Sequence, residues 1–218
     1  KIQDRVGGRL RVAICGGAPL AEHIAKTFIA LGLPILQGYG LTETSPVIGV
    51  NKIEKNLPRS IGLPLQDVTV KSNINGELLV KSPGVMLGYW DNPEATTDTI
   101  DNDDWLHTGD LGMQDEQGFI HITGRLKDII VLANGEKIPP ADMEMAIACD
   151  PLIEHVLVIG EGRPFLTALV VLTNDAWPEL AKETNASSSD SELLKSDPAI
   201  EQLLLTRIHK QTHDFPSY

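Results

Sequence analysis

The chain has 218 residues, 42% of them apolar, and sets 18 Lys and Arg against 30 Asp and Glu for a net charge of −12. That length buries a core in one or two domains, and the acidic balance excludes a nucleic-acid partner, because phosphate-backbone binding rests on clustered cations. No apolar run approaches the roughly 18 residues of a membrane-spanning helix, and the first residues lack the apolar stretch of a secretory signal, so a cytoplasmic protein is expected.

In chain order, Leu10-Arg11-Val12-Ala13-Ile14-Cys15 alternates as a strand and runs into Gly16-Gly17. An apolar-periodic helix over 21–31 follows, with Gly32 able to stop it, and 35–37 reads as the next strand. This β-turn-α-β order belongs to a parallel layer, whose ligands sit beyond the carboxyl ends of the strands, where Gly16-Gly17-Ala18 and Tyr39-Gly40 both fall. From about 60 to 123 the pattern changes to short apolar pieces punctuated by Gly and Pro, with strands at 68–70, 77–80 and 119–122. Between them Asn92 is set to cap a helical turn that Pro93 opens. Nine acids and no Lys or Arg lie between Ser82 and Gly124; most are expected to be solvated loop carboxylates. After Arg125 a compact α+β module is expected: a strand at 128–132, the turn Asn134-Gly135, a helix over 140–149, strands at 155–159 and 166–172, a polar loop over 184–191, and a last helix over 198–209. Cys15 and Cys149 lie far apart in apolar contexts and are expected as buried free thiols.

Three motifs carry groups suited to a nucleotide. Tyr39-Gly40-Leu41-Thr42-Glu43 sets an aromatic face, a glycine, a hydroxyl and a carboxylate just past a strand end. The ring can stack on a base, Thr42 can donate to a phosphate oxygen, and Glu43 is a hard oxygen ligand suited to Mg²⁺ bridging phosphates. In Thr108-Gly109-Asp110 a carboxylate, expected in a turn fixed by Trp105 and His107, can bind two vicinal hydroxyls at once. Gly124-Arg125-Leu126-Lys127-Asp128 adds an Arg that can reach a ribose or a phosphate. Taken alone, each motif also has an ordinary reading: a helix start, an Asx turn, and a strand entry with solvated charges.

In this order the three motifs resemble the adenylate-forming enzymes, most closely the long-chain acyl-CoA synthetases, over nearly the whole chain. The resemblance implies an α/β plus α+β fold: the latter part of a large α/β layer at 1–59, a β-rich subdomain of it at 60–124, and a truncated, mobile α+β domain at 125–218 joined by a hinge. It implies ATP, CoA and a fatty acid as small-molecule ligands, with Mg²⁺, and a two-step ligation through an acyl-adenylate. Gly16, Gly17 and Ala18 would wall the adenine pocket beside Tyr39 and Gly40, and Thr42 and Glu43 would serve the phosphates and the metal. Asp110 would anchor the ribose with Arg125, Lys127 would mark the hinge at a place where many relatives carry Asp, and Gly135 would line the pantetheine tunnel.

Two features of the family have no counterpart. No Gly/Ser/Thr-rich phosphate loop ending in Lys-Gly is present, and Lys210 lies in His-Lys-Gln-Thr-His without flanking glycines, so the 218 residues are expected to be catalytically incomplete. Leu87-Gly88-Tyr89-Trp90 favours the long-chain branch by resemblance. Medium-chain, aryl-acid and carrier-protein-loading ligases, and a non-catalytic adenylate-binding module, stay open, as do peripheral membrane contact and the oligomeric state.

Overall fold

The computed structural model describes residues 5, 7–185, 195 and 197–216, and the chain divides into two compact units, 1–127 and 128–218. In the first unit β1 (Ala13–Cys15) and β2 (Ile35–Gly40) pair in parallel, joined by α1 (Glu22–Ala30). The strand expected over 10–15 shortens to the residues that face Ile35, Leu36 and Gln37. Parallel character ends there. The run Val47-Ile48-Gly49-Val50, without polar alternation and so silent as to helix or strand, is β3 (Val47–Val50), antiparallel to β2, and β4 (Leu63–Pro64) extends the sheet.

A second sheet is an antiparallel meander of β5 (Thr69–Ser72), β6 (Glu77–Lys81), β7 (Leu106–Gln114) and β8 (Ile120–Arg125). Between β6 and β7 runs α2 (Pro93–Thr99), where the Asn92 side chain accepts the Ala95 N–H at 3.1 Å and Pro93 opens the helix as its sequence requires. Ile48 from the first sheet packs with Val70, Leu78, Val80 and Ile120 from the second, so one core joins the two. Burying each of these side chains stabilises the unit by about 1.5–3 kcal/mol.

The largest departure from the sequence reading is β7. Asp110 sits not in a turn but in the middle of a nine-residue strand. Its buried face is Leu106, Thr108, Asp110 and Gly112, so the alternation is strict but the buried positions are mostly polar or bare. Hydrophobic periodicity cannot reveal a strand whose inner face is not hydrophobic.

The second unit begins in the 3-10 turn Leu126–Asp128, which shortens the expected 128–132 strand to β9 (Ile130–Val131). β10 (Lys137–Ile138) pairs with it as a hairpin across Asn134-Gly135. Next come α3 (Ala141–Ile147), the β11 (Ile153–Ile159) and β12 (Thr167–Leu172) hairpin, α4 (Ala176–Thr184) and α5 (Pro198–Gln211). The sequence reading did not foresee α4, which ends at Thr184 with Asn185 in a left-handed cap. Of the expected polar loop, 186–191 lie outside the described residues. Both cysteines are free, but Cys149 is exposed and Cys15 half-buried, contrary to expectation; Cys149 falls just past the C-cap of α3, where its thiol donates to the Met145 carbonyl.

Asp150 ties this unit together. Its buried carboxylate accepts two bonds from Arg207 of α5, at 2.9 and 3.1 Å, and one from the Leu152 N–H at 3.0 Å. Removing it leaves the Leu152 amide without its acceptor and the guanidinium with Glu183 alone among the described residues, 3.5 Å away. Asp150→Ala is expected to destabilise the chain by about 2 kcal/mol, read as a lowered urea midpoint at unchanged m-value; a midpoint equal to wild type would show that the pair contributes nothing.

Candidate functional site

Two strand ends and one hairpin build the site. β1 and β2 run in parallel, so Gly16-Gly17-Ala18 and Tyr39-Gly40 leave the same edge of the sheet. A Cβ on Gly16 would stand 3.3 Å from the Gly38 carbonyl, which places this turn against the residue preceding Tyr39. Gly17 and Ala18 are exposed beside it.

The β7–β8 hairpin supplies the charged pair. Its turn is closed by the Asp115 carboxylate, which accepts from the Gln117 and Phe119 N–H groups and faces His121 Nε2 at 2.9 Å. That register puts Asp110 directly opposite Arg125. Arg125 Nε donates to Asp110 Oδ1 at 2.7 Å, and the Tyr39 hydroxyl donates to Oδ2. Asp110 is thus the joint of the site, gripped from β2 and β8 at once. Its side chain is 7% exposed and that of Arg125 is 59% exposed, so the anionic end lies sheltered with a cation at its open side. Burial first, and then the Asp110 carboxylate, raise the Tyr39 pKa above the usual phenol range, which keeps this hydroxyl a donor.

Downstream of Tyr39, Thr42–Thr44 forms a 3-10 turn. Thr44, not singled out from the sequence, is buried and organises it: its hydroxyl accepts the Leu41 N–H at 3.0 Å and donates to the Pro46 carbonyl at 2.6 Å. Thr42 is left exposed, and Glu43 projects at the edge of the turn. The Tyr89 hydroxyl donates to Glu43 Oε1 at 2.8 Å, and the Met86 N–H donates to the Glu43 carbonyl at 2.8 Å. The bond from its own hydroxyl to the Glu43 carboxylate, and then burial, raise the Tyr89 pKa. Tyr89 is a second group the sequence reading used only as part of a motif.

Glu77 is the third such group, buried and bonded to the backbone of the Thr108-Gly109-Asp110 segment. The sequence held one signal for it: an acid opening the otherwise apolar run Leu78-Leu79-Val80. His107, read as a packing or turn residue, pairs with it at 2.9 Å through Nδ1.

Of the expected site residues, Tyr39, Asp110 and Arg125 meet directly, Gly16 and Gly40 adjoin them along β2, and Thr42 and Glu43 follow in the next turn. Lys127 is exposed in the Leu126–Asp128 turn, and the division between the compact units falls immediately after it. Gly135 belongs to the second unit, at φ +83° in the β9–β10 turn. No set of three or more His, Cys, Asp and Glu among the described residues could hold a metal by itself. A lone carboxylate such as Glu43 does suit Mg²⁺, which takes most of its oxygen ligands from phosphates and water.

These features define an α/β unit that carries a buried carboxylate between a tyrosine and an arginine, followed by a small α+β unit, and comparison with known proteins names the class. The chain belongs to the AMP-binding enzyme family: the model of the AMP-binding enzyme matches residues 1–90, and that of the AMP-binding enzyme C-terminal domain matches 127–203. It is similar to the long-chain-fatty-acid–CoA ligase FadD15 of Mycobacterium bovis, 36% identical over 97% of this chain and 37% of that protein. The chain therefore spans little more than a third of the length of this relative. Among solved structures, ATP-bound MatB from Rhodopseudomonas palustris matches with a TM-score of 0.67 at 32% identity, over 78% of this chain and 37% of the other. O-succinylbenzoate coenzyme A synthetase from Bacillus subtilis, in complex with ATP and magnesium ion, matches with a TM-score of 0.65 at 31% identity, over 74% and 36%.

Proposed function

We propose that these residues are the adenosine-binding end, the hinge and most of the small domain of an ATP-dependent long-chain fatty acid:CoA ligase. The observation that carries this reading is the Tyr39–Asp110–Arg125 cluster. Each Asp110 oxygen spends one lone pair on Tyr39 or Arg125 and retains another, so the carboxylate can accept both hydroxyls of a ribose. Arg125, mostly exposed, then faces the α-phosphate that becomes part of the acyl-adenylate. Thr42 donates to phosphate oxygens, and Glu43 holds Mg²⁺, which would offset charge on the phosphates. The backbone at Gly16, Gly17 and Ala18, bare of long side chains, forms the adenine wall.

The reaction proceeds in two steps. The fatty acid carboxylate attacks the α-phosphorus of ATP and expels pyrophosphate; the CoA thiolate then attacks the acyl carbon and expels AMP. Lys127 serves as the hinge between the steps, bringing the Gly135 turn to the pantetheine arm. The long-chain assignment rests on similarity to the mycobacterial ligase. The likeness to O-succinylbenzoate coenzyme A synthetase supports a second reading, a ligase of a shorter or aryl acid. The same proposal puts the protein in the cytoplasm, with peripheral membrane contact through its amphiphilic substrate.

The test is CoA-dependent AMP release by the longest protein its gene encodes, across acids of increasing chain length, beside the 218-residue chain. A maximum at long chains, with the short chain far below the roughly 10 s⁻¹ of a typical enzyme, is the expected result. A maximum at short or aryl acids selects the second reading, and full turnover by the 218 residues refutes the incompleteness. A narrower prediction concerns Glu43. Tyr89→Phe removes one hydrogen bond that aims it, worth about 1 kcal/mol, so affinity for Mg-ATP should fall about fivefold while affinity for AMP stays within twofold in calorimetry. Equal losses for both nucleotides would place the effect elsewhere than the metal-side carboxylate.

A further inference from the structure

The ladder between β6 and β7 is broken where the site needs it. Leu79 faces His107 and Glu77 faces Leu111, so Thr108, Gly109 and Asp110 lie opposite Leu78 alone. Such a bulge re-aims a side chain and strips ladder bonds from its own backbone, and buried N–H groups left unpaired are costly. Here two side chains recover them. The Thr108 hydroxyl accepts the Asp110 N–H at 3.1 Å and donates to the Leu78 carbonyl at 2.8 Å. Glu77 Oε1 accepts the Gly109 N–H at 3.0 Å. Gly109 stands at φ +71°, in the left-handed region, so the bulge turns on this residue and on whatever fixes its amide.

Glu77 is itself held from several sides. Oε2 accepts from Asn73 Nδ2 at 3.0 Å and faces His107 Nδ1 at 2.9 Å, while the Glu77 N–H donates to Asn73 Oδ1 at 3.0 Å. The far edge of His107 looks onto Asp101, 4.0 Å away. A carboxyl this buried, at 7% exposure, and aimed at one backbone amide is a brace rather than a solvated charge.

We propose that Glu77 is a positioning residue for nucleotide binding: through the Gly109 amide it holds the bulge in the shape that presents Asp110 to the ribose diol. The proposal rests on the reading of Asp110 as ribose anchor. Glu77 touches no substrate atom, and its effect is confined to ligands with both ribose hydroxyls.

The test uses the 218-residue chain with AMP and 2′,3′-dideoxy-AMP as calorimetric probes, and backbone amide exchange by NMR. Glu77→Ala is expected to weaken AMP about tenfold or more and to leave dideoxy-AMP within twofold of wild type. Glu77→Gln, which keeps an acceptor for Gly109, should recover most of the loss. In Glu77→Ala the Gly109 amide should exchange rapidly while Leu78 and Ile120 stay protected. Unchanged protection at Gly109, or equal weakening of both nucleotides, overturns the proposal. Should the Ala variant not fold, Gln carries the measurement, and rapid Gly109 exchange there despite a folded sheet counts against the amide brace. The underlying reading fails separately: if Asp110→Ala leaves AMP binding intact, the ribose anchor is wrong even if Gly109 loses protection in Glu77→Ala.

Discussion

Asp110→Ala is expected to weaken AMP binding by about 2–3 kcal/mol, roughly thirtyfold to more than a hundredfold, with a much smaller effect on folding. Two separate losses add. The ribose hydroxyls lose a charged acceptor, and such bonds contribute about 1.5–3 kcal/mol. The groups that remain then work against the ligand: the Tyr39 hydroxyl, half-buried, and Arg125 both lose the oxygen they bond. Folding suffers less, because Arg125 is 59% exposed and water takes over its bonds. Asp110→Asn should fall between, since an amide offers one acceptor oxygen where the carboxylate has two. Calorimetry with AMP beside urea unfolding separates the terms. AMP affinity within twofold of wild type in Asp110→Ala would remove the cluster from the nucleotide site and favour a module that keeps the fold for another purpose.

What could be read in the sequence followed from what sequence patterns encode. The helix at 22–30 and the capped turn at 93–99 were legible because apolar spacing, Gly32, Asn92 and Pro93 act within a few residues of themselves. The pairing of Asp110 with Arg125 was half legible. Both residues stood out as chemistry, but the reason they meet is hairpin register, fixed by the Asp115 turn and by alternation that polar inner residues conceal. Glu77 and Thr44 were hidden for a related reason: each bonds backbone groups brought near by a bulge or a tight turn, and a bulge leaves no periodic trace. Val47–Val50 was lost because a short apolar stretch suits either state until tertiary packing decides, and the helix Ala176–Thr184 because nine residues with Pro178 among them give apolar spacing too few turns to repeat.

Gly40 carries a constraint that its place in the motif does not reveal. The resemblance sets it beside the adenine pocket; the structure makes it a backbone contact. β2 and β3 slip by one residue between Tyr39 and Gly40, and the slip presses Gly40 against the chain returning through Pro46. A Cβ there would lie 1.8 Å from the Pro46 oxygen, 2.6 Å from its carbon and 2.8 Å from the Val47 Cα. All three atoms are backbone, so no rotamer change relieves the overlap. The same Pro46 carbonyl accepts the Leu41 N–H at 2.9 Å and the Thr44 hydroxyl at 2.6 Å, the two bonds that close the turn carrying Thr42 and Glu43. Gly40→Ala must therefore move the turn or lose the bonds, and either costs about 3–5 kcal/mol, at the upper end of single-residue effects. Chemical denaturation should show that loss, while Thr42→Ala, at an exposed position two residues on, should change stability by no more than about 0.5 kcal/mol. If instead Gly40→Ala folds with wild-type stability and only its nucleotide affinity falls, the glycine serves the ligand and not the turn.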